Sequence, residues 1–279
     1  FGTEEFDDLY LKYEQDKTIP KKKVSAQDLF FDLLKERAET GRIYIMNLDH
    51  CNSHSSFKDK VSMSNLCQEI TLPTTPIQDI HDEQGEIALC ILSAVNVGAL
   101  NDLSELENIC DLSVRALEQI IDYQDYPVRA AEVSTKKRRS LGIGYIGLAH
   151  YLAKNGVKYS DPKAWELVDR LSEAFQYHLL RSSCNIAIEK GKCEGFERTK
   201  YADGLLPIDH YKKDVDEIVP HKQRMAWESL RKDIAKYGLR HSTLSAQMPS
   251  ESSSVVSNET NGIEPPRALL SIKKSKKGP

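Results

Sequence analysis

Ser64-Asn65-Leu66-Cys67-Gln68-Glu69-Ile70 is the stretch around which the rest of the chain is read. An amide, a thiol and a carboxylate stand at alternate positions: Asn65, Cys67 and Glu69. If the segment is extended, a period of two places all three on one face. Leu66 and Ile70 then point the other way and can anchor the segment in a core. In a helix Asn65 and Glu69 stay neighbours, but Cys67 turns away from both.

The chemistry of that trio is narrow. A nucleophilic cysteine needs a lowered pKa, from a histidine, a cation or a helix N-terminus. Here the nearest ionisable neighbour is a carboxylate, which disfavours a thiolate. A protonated thiol is a poor nucleophile but a good hydrogen-atom donor and acceptor. A glutamate can take a proton, and an amide can hold a substrate hydroxyl. Spacing alone favours a plainer reading, a buried Cys in a strand beside two ordinary polar residues.

Longer motifs shift that balance. The segment continues through Glu69-Ile-Thr-Leu-Pro-Thr-Thr-Pro-Ile and Gly85-Glu-Ile-Ala-Leu-Cys90-Ile-Leu-Ser-Ala. Further on stand LEQIIDYQDYP (117–127), LGIG (141–144) and MPSESSSVVSNETNGIEPP (248–266). Together these resemble the large, catalytic subunit of class I ribonucleotide reductases, in its bacterial and phage branch, from about Ser25 onward. The resemblance implies an α/β fold, part of a ten-stranded α/β barrel with the cysteine loop threaded through its centre. Residues 1–279 are then expected to be a partial catalytic barrel domain, an internal piece of a longer subunit. The N-terminal allosteric region and the C-terminal tail are expected to lie outside it.

Composition agrees with a soluble protein. The 279 residues are 40% hydrophobic and 29% charged, enough for a sizeable core. A net charge of -4 argues against a general nucleic-acid binder. No apolar run approaches the roughly 18 to 20 residues that span a bilayer, and no signal peptide is evident. The six cysteines (Cys51, Cys67, Cys90, Cys110, Cys184 and Cys193) show neither C-x-x-C nor a disulfide-framework spacing. A cytoplasmic location is expected.

Along the chain, residues 1–16 read as a helix with Phe6, Leu9, Tyr10 and Tyr13 on one side. Ser25 with Asp28 opens a second helix that Gly41 closes, with Leu29, Phe30, Leu33 and Leu34 as its buried stripe. Arg42 to Leu48 reads as a strand, and Asn52 to Ser62 as a polar loop. Gly85 to Val97 is apolar on both faces, as in a covered parallel strand. Asn101 caps a helix to Tyr123 with Leu106, Ile109, Cys110, Leu117, Ile120 and Ile121 inward. Gln124 to Arg139 is a turn-rich, then basic, connection; its run Lys136 to Arg139 reads as a solvated face. Leu141 to Lys154 reads as a helix. Asp161-Pro162 opens a long helix to Lys190, Met225 to Tyr237 another, and Leu239 to Met248 a strand. Gly142-Ile-Gly144-Tyr-Ile-Gly147 fits a dinucleotide fingerprint literally, but the basic residues upstream are no hydrophobic strand, so close helix packing is the better reading. Asp49, His50, Cys51 and His54 look like metal ligands, but a second ligand group at zinc spacing is missing, which favours a polar turn.

The resemblance assigns roles. Cys67 is the thiyl radical site, Glu69 a base for the 3′-hydroxyl, and Asn65 a holder of the sugar hydroxyls. Cys90, which burial alone would make a core residue, is half of the redox pair, with its partner expected outside this chain. Pro249, Ser250, Glu251, Ser252 and Ser253 form the turn for the substrate diphosphate, and 258–266 is scaffold. Arg42 and Tyr44 are expected near the radical-transfer tyrosines, which are themselves expected beyond residue 279. The implied activity is reduction of ribonucleoside diphosphates. The implied partners are a metal-bearing, radical-generating small subunit, a thioredoxin- or glutaredoxin-type reductant, and other large-subunit pieces or a homodimer mate. No metal is expected in this chain, nor a nucleic-acid or membrane partner. Alone it is expected to be catalytically silent. The rival readings are a non-catalytic interaction piece of a split subunit and a reductase of another class.

Overall fold

The computed structural model describes residues 4–41, 43–219, 222–268 and 270. Arg42 and residues 271–279 lie outside the described residues. The chain opens with two helices, α1 (Glu4–Gln15) and α2 (Ala26–Thr40). The expected caps hold α2: Ser25 Oγ accepts from the Asp28 N–H, and Gly41, at φ 64°, closes the last turn on the Arg37 carbonyl. The expected buried stripe does not materialise. Leu29, Phe30 and Phe31 are exposed, Leu33 and Leu34 are only half-buried, and α2 has no buried residue. Residues 43–47 form no strand, and α3 (Leu48–His54) follows directly, so the Asp49/His50/Cys51/His54 group sits on a helix rather than a turn.

The core lies between two long helices and a parallel sheet. β1 (Ile91–Asn96) pairs with β2 (Leu141–Ile146) in parallel, from Ile91 opposite Leu141 to Asn96 opposite Ile146. A third, strand-like run lies on the far side of β2. The Leu141 N–H donates to Thr243 O and the Ile143 N–H to Leu244 O, while the Ala246 N–H donates back to Ile143 O. Among the described residues the sheet stays open. It is shorter than expected in β1, where 85–90 is not strand, and in 239–248, where only Ser245 bridges.

Helices connect the strands. α4 (Glu105–Tyr123) buries Leu106, Cys110, Val114, Leu117 and Ile121, a stripe at helical spacing. It begins later than expected, because Glu105 Oε1 collects the Asn101 and Asp102 N–H groups in a turn ahead of it. Ile120, expected inward, is exposed. The supposed basic connection contains α5 (Arg129–Arg138). β2 occupies the first half of the expected helix, and α6 (Leu148–Lys154) the second. α7 (Pro162–Lys190) runs as expected from Asp161. A one-turn α8 (Pro207–His210), α9 (Trp227–Tyr237) and α10 (Glu251–Ser257) complete the set. Among the described residues no helix is long and apolar enough to cross a membrane.

The basic run is not a solvated face. Arg138 and Arg139 are buried. Arg138 pairs with Glu86 and Asp59, and Arg139 with Glu118 and Asp122. Glu118 is itself buried and also receives Arg240 and His241. Burial alone would raise its pKa, but hydrogen bonds from His241, Arg139 and Arg240 outweigh burial and hold the carboxyl at about 2. This hub ties α4, α5 and the start of the third strand together.

Candidate active site

The loop that carries Cys67 is pinned at its entrance. Asn52 accepts from the Val61 N–H at 2.8 Å and donates to the Val61 carbonyl at 2.9 Å. Beyond it, residues 65–70 close into a turn rather than extending. Asn65 Oδ1 accepts from the Ile70 N–H at 3.1 Å, the Asn65 N–H donates to Ile70 O, and the Gln68 N–H donates to Asn65 O. Gln68 sits at φ 63°, in the left-handed region that few side chains adopt. The expected alternation on one face therefore fails. A short polar side chain that bonds its own backbone diverts the chain from a strand.

The turn separates the three residues. Cys67 lies at its tip and is exposed, as is Asn65. Leu66, expected in a core, is 80% exposed. Glu69 alone turns inward, and its Oε2 is buried without a hydrogen-bond partner among the described residues. It lines a cavity of about 330 Å³ with Ile143, Tyr145, Ser172, Gln176 and Gln247. An unpaired buried carboxylate oxygen is costly, and such an atom calls for a specific reason, such as a ligand donor.

Cys90 lies within electrostatic reach of that carboxylate. It is half-buried, one residue before β1. Burial, and then the Glu69 charge, push its thiol up to about 12, so it stays protonated near neutral pH. A side chain on Gly142 would have its Cβ 2.6 Å from Cys90 Sγ and 2.7 Å from Leu92 Cδ2. The neighbouring Gly144 would meet Met248 Sδ at 3.0 Å. Glycines two apart on a strand share a face, so Gly142 and Gly144 give β2 a floor with no side chains of its own, over which Cys90, Leu92, Ala246 and Met248 pack. This corrects the helix-packing reading of these glycines: the close approach is strand to strand.

At the other end of that floor is the hydroxyl-rich turn. Pro249, Ser250, Glu251, Ser252 and Ser253 line a second cavity, of about 280 Å³, with Leu92, Ser93, Ala94 and Met248. Ser250 precedes α10, so the first N–H groups of that short helix open beside the turn. Ser250 Oγ is buried without a partner among the described residues, whereas Ser252 and Ser253 are exposed. The loop that follows acts as scaffold: the Ser250 N–H donates to Asn261 O, and the Gly147 N–H to Thr260 O. The cavity opens beside the first half of β1 and just past the end of the 243–247 run.

Sequence reasoning missed Gly142, Gly144, Tyr145 and Gln247. The G-x-G alternation was the available signal for the glycines. Gln247 carries none: its amide donates to Tyr145 O and accepts from the Tyr145 N–H, extending the strand pairing with a side chain. Among the other cysteines, Cys110, Cys184 and Cys193 are buried and Cys51 is half-buried. Burial alone pushes Cys110 up to about 12.

Known proteins resemble the chain along its whole length. The family model for the ribonucleotide reductase barrel domain matches residues 1–279. The chain is 59% identical over 278 residues to the ribonucleoside-diphosphate reductase subunit alpha of Haemophilus influenzae, covering 99% of this chain and 37% of that relative. Its identity to the ribonucleoside-diphosphate reductase 1 subunit alpha of Escherichia coli K12 is 55%, over 99% of this chain and 36% of the relative. The subunit alpha of enterobacteria phage T4 is 43% identical, over 98% and 36%. The chain spans little more than a third of the length of these relatives. It belongs to the ribonucleotide reductase barrel-domain family.

Proposed function

We propose that this chain supplies the central catalytic surface of a ribonucleoside-diphosphate reductase large subunit. The reaction replaces the ribose 2′-hydroxyl of a ribonucleoside diphosphate with hydrogen. One observation carries the reading. A protonated thiol at Cys90 and a hydroxyl-rich turn at 249–253 lie along the Gly142–Gly144 floor, and Glu69, with its buried unpaired Oε2, lies within electrostatic reach of that thiol.

Each group has work there. Cys67, at the exposed tip of its turn, is where a radical delivered from outside reaches the substrate, as a thiyl that abstracts the 3′-hydrogen. Glu69 accepts the 3′-hydroxyl proton. Asn65 Nδ2 makes no hydrogen bond among the described residues and is available to hold the sugar hydroxyls, while Oδ1 keeps the turn closed. Pro249, Ser250, Glu251, Ser252 and Ser253 take the diphosphate through N–H and hydroxyl donors. Two thiols supply the reducing electrons: they become a disulfide as the 2′-hydroxyl leaves as water. Cys90 is one of them. The radical comes from a metal-containing small subunit, and a thioredoxin- or glutaredoxin-type protein restores the thiols.

The test is Cys90→Ser in a complete large subunit carrying this barrel. Hydrogen abstraction proceeds, reduction stalls, and the substrate decomposes with release of free base and loss of the radical. Normal deoxynucleotide yield over many turnovers would show Cys90 to be a core residue only.

A further inference from the structure

Three segments lead to the candidate site, and one buried residue bonds all three, two through its guanidinium and one through its main-chain carbonyl. Arg138, in the last turn of α5, is 2% exposed. Its Nε donates to Glu86 Oε2 at 2.5 Å and its Nη1 to Asp59 Oδ2 at 2.9 Å. Glu86 lies four residues before Cys90 and is 3% exposed. Asp59 lies eight residues before Cys67. The carbonyl of Arg138 accepts from the Ser242 N–H at 3.0 Å, where the run to Met248 begins.

Secondary contacts fix each arm. Lys137 also donates to Glu86, at 2.7 Å, and Arg198 donates to Asp59 Oδ1 through Nε and Nη2. The Arg138 guanidinium lies 6.0 Å from the Phe57 ring centroid. The Ile87 N–H donates to Ala130 O, so the Cys90 segment also touches the far end of α5. A guanidinium serves two carboxylates at fixed angles, whereas an ammonium is a point charge. A buried ion pair contributes little net stability after desolvation, so geometry is the better account of its presence.

We propose that Arg138 is a positioning residue, whose fork sets the Cys67 loop and the Cys90 segment in register with each other, while its main-chain carbonyl anchors both to the strand leading to the 249–253 turn. The proposal deepens the reading given above and rests on it for its catalytic meaning, but its first test does not.

That test uses Arg138→Lys and Asp59→Asn in the 279-residue chain, with iodoacetamide labelling of cysteines and amide hydrogen exchange, both read by mass spectrometry. Arg138→Lys keeps the charge and loses the fork. Cys90 then labels roughly tenfold faster, and exchange rises in both 57–66 and 84–92. Cys110 and Cys184 stay protected. Asp59→Asn cuts one arm, so exchange rises in 57–66 alone and Cys90 labelling is unchanged. The proposal is overturned if Arg138→Lys leaves both segments as they were, or if Cys110 and Cys184 become reactive in step with Cys90. Should Arg138→Lys fail to fold, Asp59→Asn decides, and unchanged exchange in 57–66 overturns it. In a complete large subunit, Arg138→Lys lowers kcat while the substrate KM stays within about twofold, because main-chain bonds hold the 249–253 turn. Full kcat in that variant also overturns the proposal. Absence of reductase activity in the unsubstituted subunit overturns the proposed function instead.

Discussion

Replacing Gly142 with Ala tests the side-chain-free floor. The added Cβ lies 2.6 Å from Cys90 Sγ, 2.7 Å from Leu92 Cδ2 and 3.1 Å from the Ala246 Cβ. Comfortable separations are about 3.5–4.0 Å, so Cys90 must move by about 1 Å or change rotamer. Overpacking of this kind costs about 1–3 kcal/mol. For 279 residues, at about 2.1 cal/mol/K of unfolding entropy per residue, that lowers Tm by about 2–5 °C. Gly144→Ala is the contrast. Its new Cβ runs into the Ala246 carbonyl, a backbone atom that cannot rotate away, so the pairing of β2 with 243–246 breaks. We expect Gly142→Ala to fold, with a small loss of Tm and faster labelling of Cys90 by iodoacetamide. Gly144→Ala should lose more Tm, with no selective effect on Cys90. If Cys90 labels at the same rate in Gly142→Ala as in the unsubstituted chain, the thiol does not sit on this floor and the site geometry fails.

Two further outcomes follow from the same contacts. Glu118 has a folded pKa of about 2 against an ordinary 4.5, so its stabilisation is full above pH 4.5 and is lost as pH falls towards 2. The difference amounts to about 3 kcal/mol. Glu118→Gln should therefore lose stability at pH 7, and its deficit against the unsubstituted chain should shrink by about that much at pH 2; a deficit that does not vary with pH in thermal melts contradicts the hub. Replacing both Ser252 and Ser253 with Ala removes two neutral donors worth about 0.5–1.5 kcal/mol each. Substrate affinity should drop roughly 5- to 150-fold by equilibrium binding, and unchanged affinity moves the diphosphate cradle elsewhere.

Local signals were legible in the sequence, and distant partners were not. Ser25, Gly41, Asp161-Pro162 and Gly238 marked helix ends through bonds made within a few residues. The stripe Leu106, Cys110, Leu117 and Ile121 read correctly because a helix buries one face at fixed spacing. β2 misread as helix because all six of its residues are buried, which removes the alternation that identifies a strand. Arg138 and Arg139 misread as solvated because their acids lie 17 to 79 residues away in sequence. The apolar face of α2 was visible, but nothing among the described residues covers it. At the site, motif resemblance supplied the residue types, while the turn made by Asn65 and the floor made by Gly142 and Gly144 needed the fold.

In the proposed reaction Cys67 carries the radical. The most direct test is Cys67→Ser in the complete large subunit, assembled with its radical-generating partner and supplied with reductant. The change preserves shape, but an O–H bond is much stronger than S–H, so serine cannot exchange a hydrogen atom with the ribose on comparable terms. The account predicts that substrate still binds and that no deoxynucleotide forms. Measurable turnover by the Cys67→Ser enzyme contradicts it.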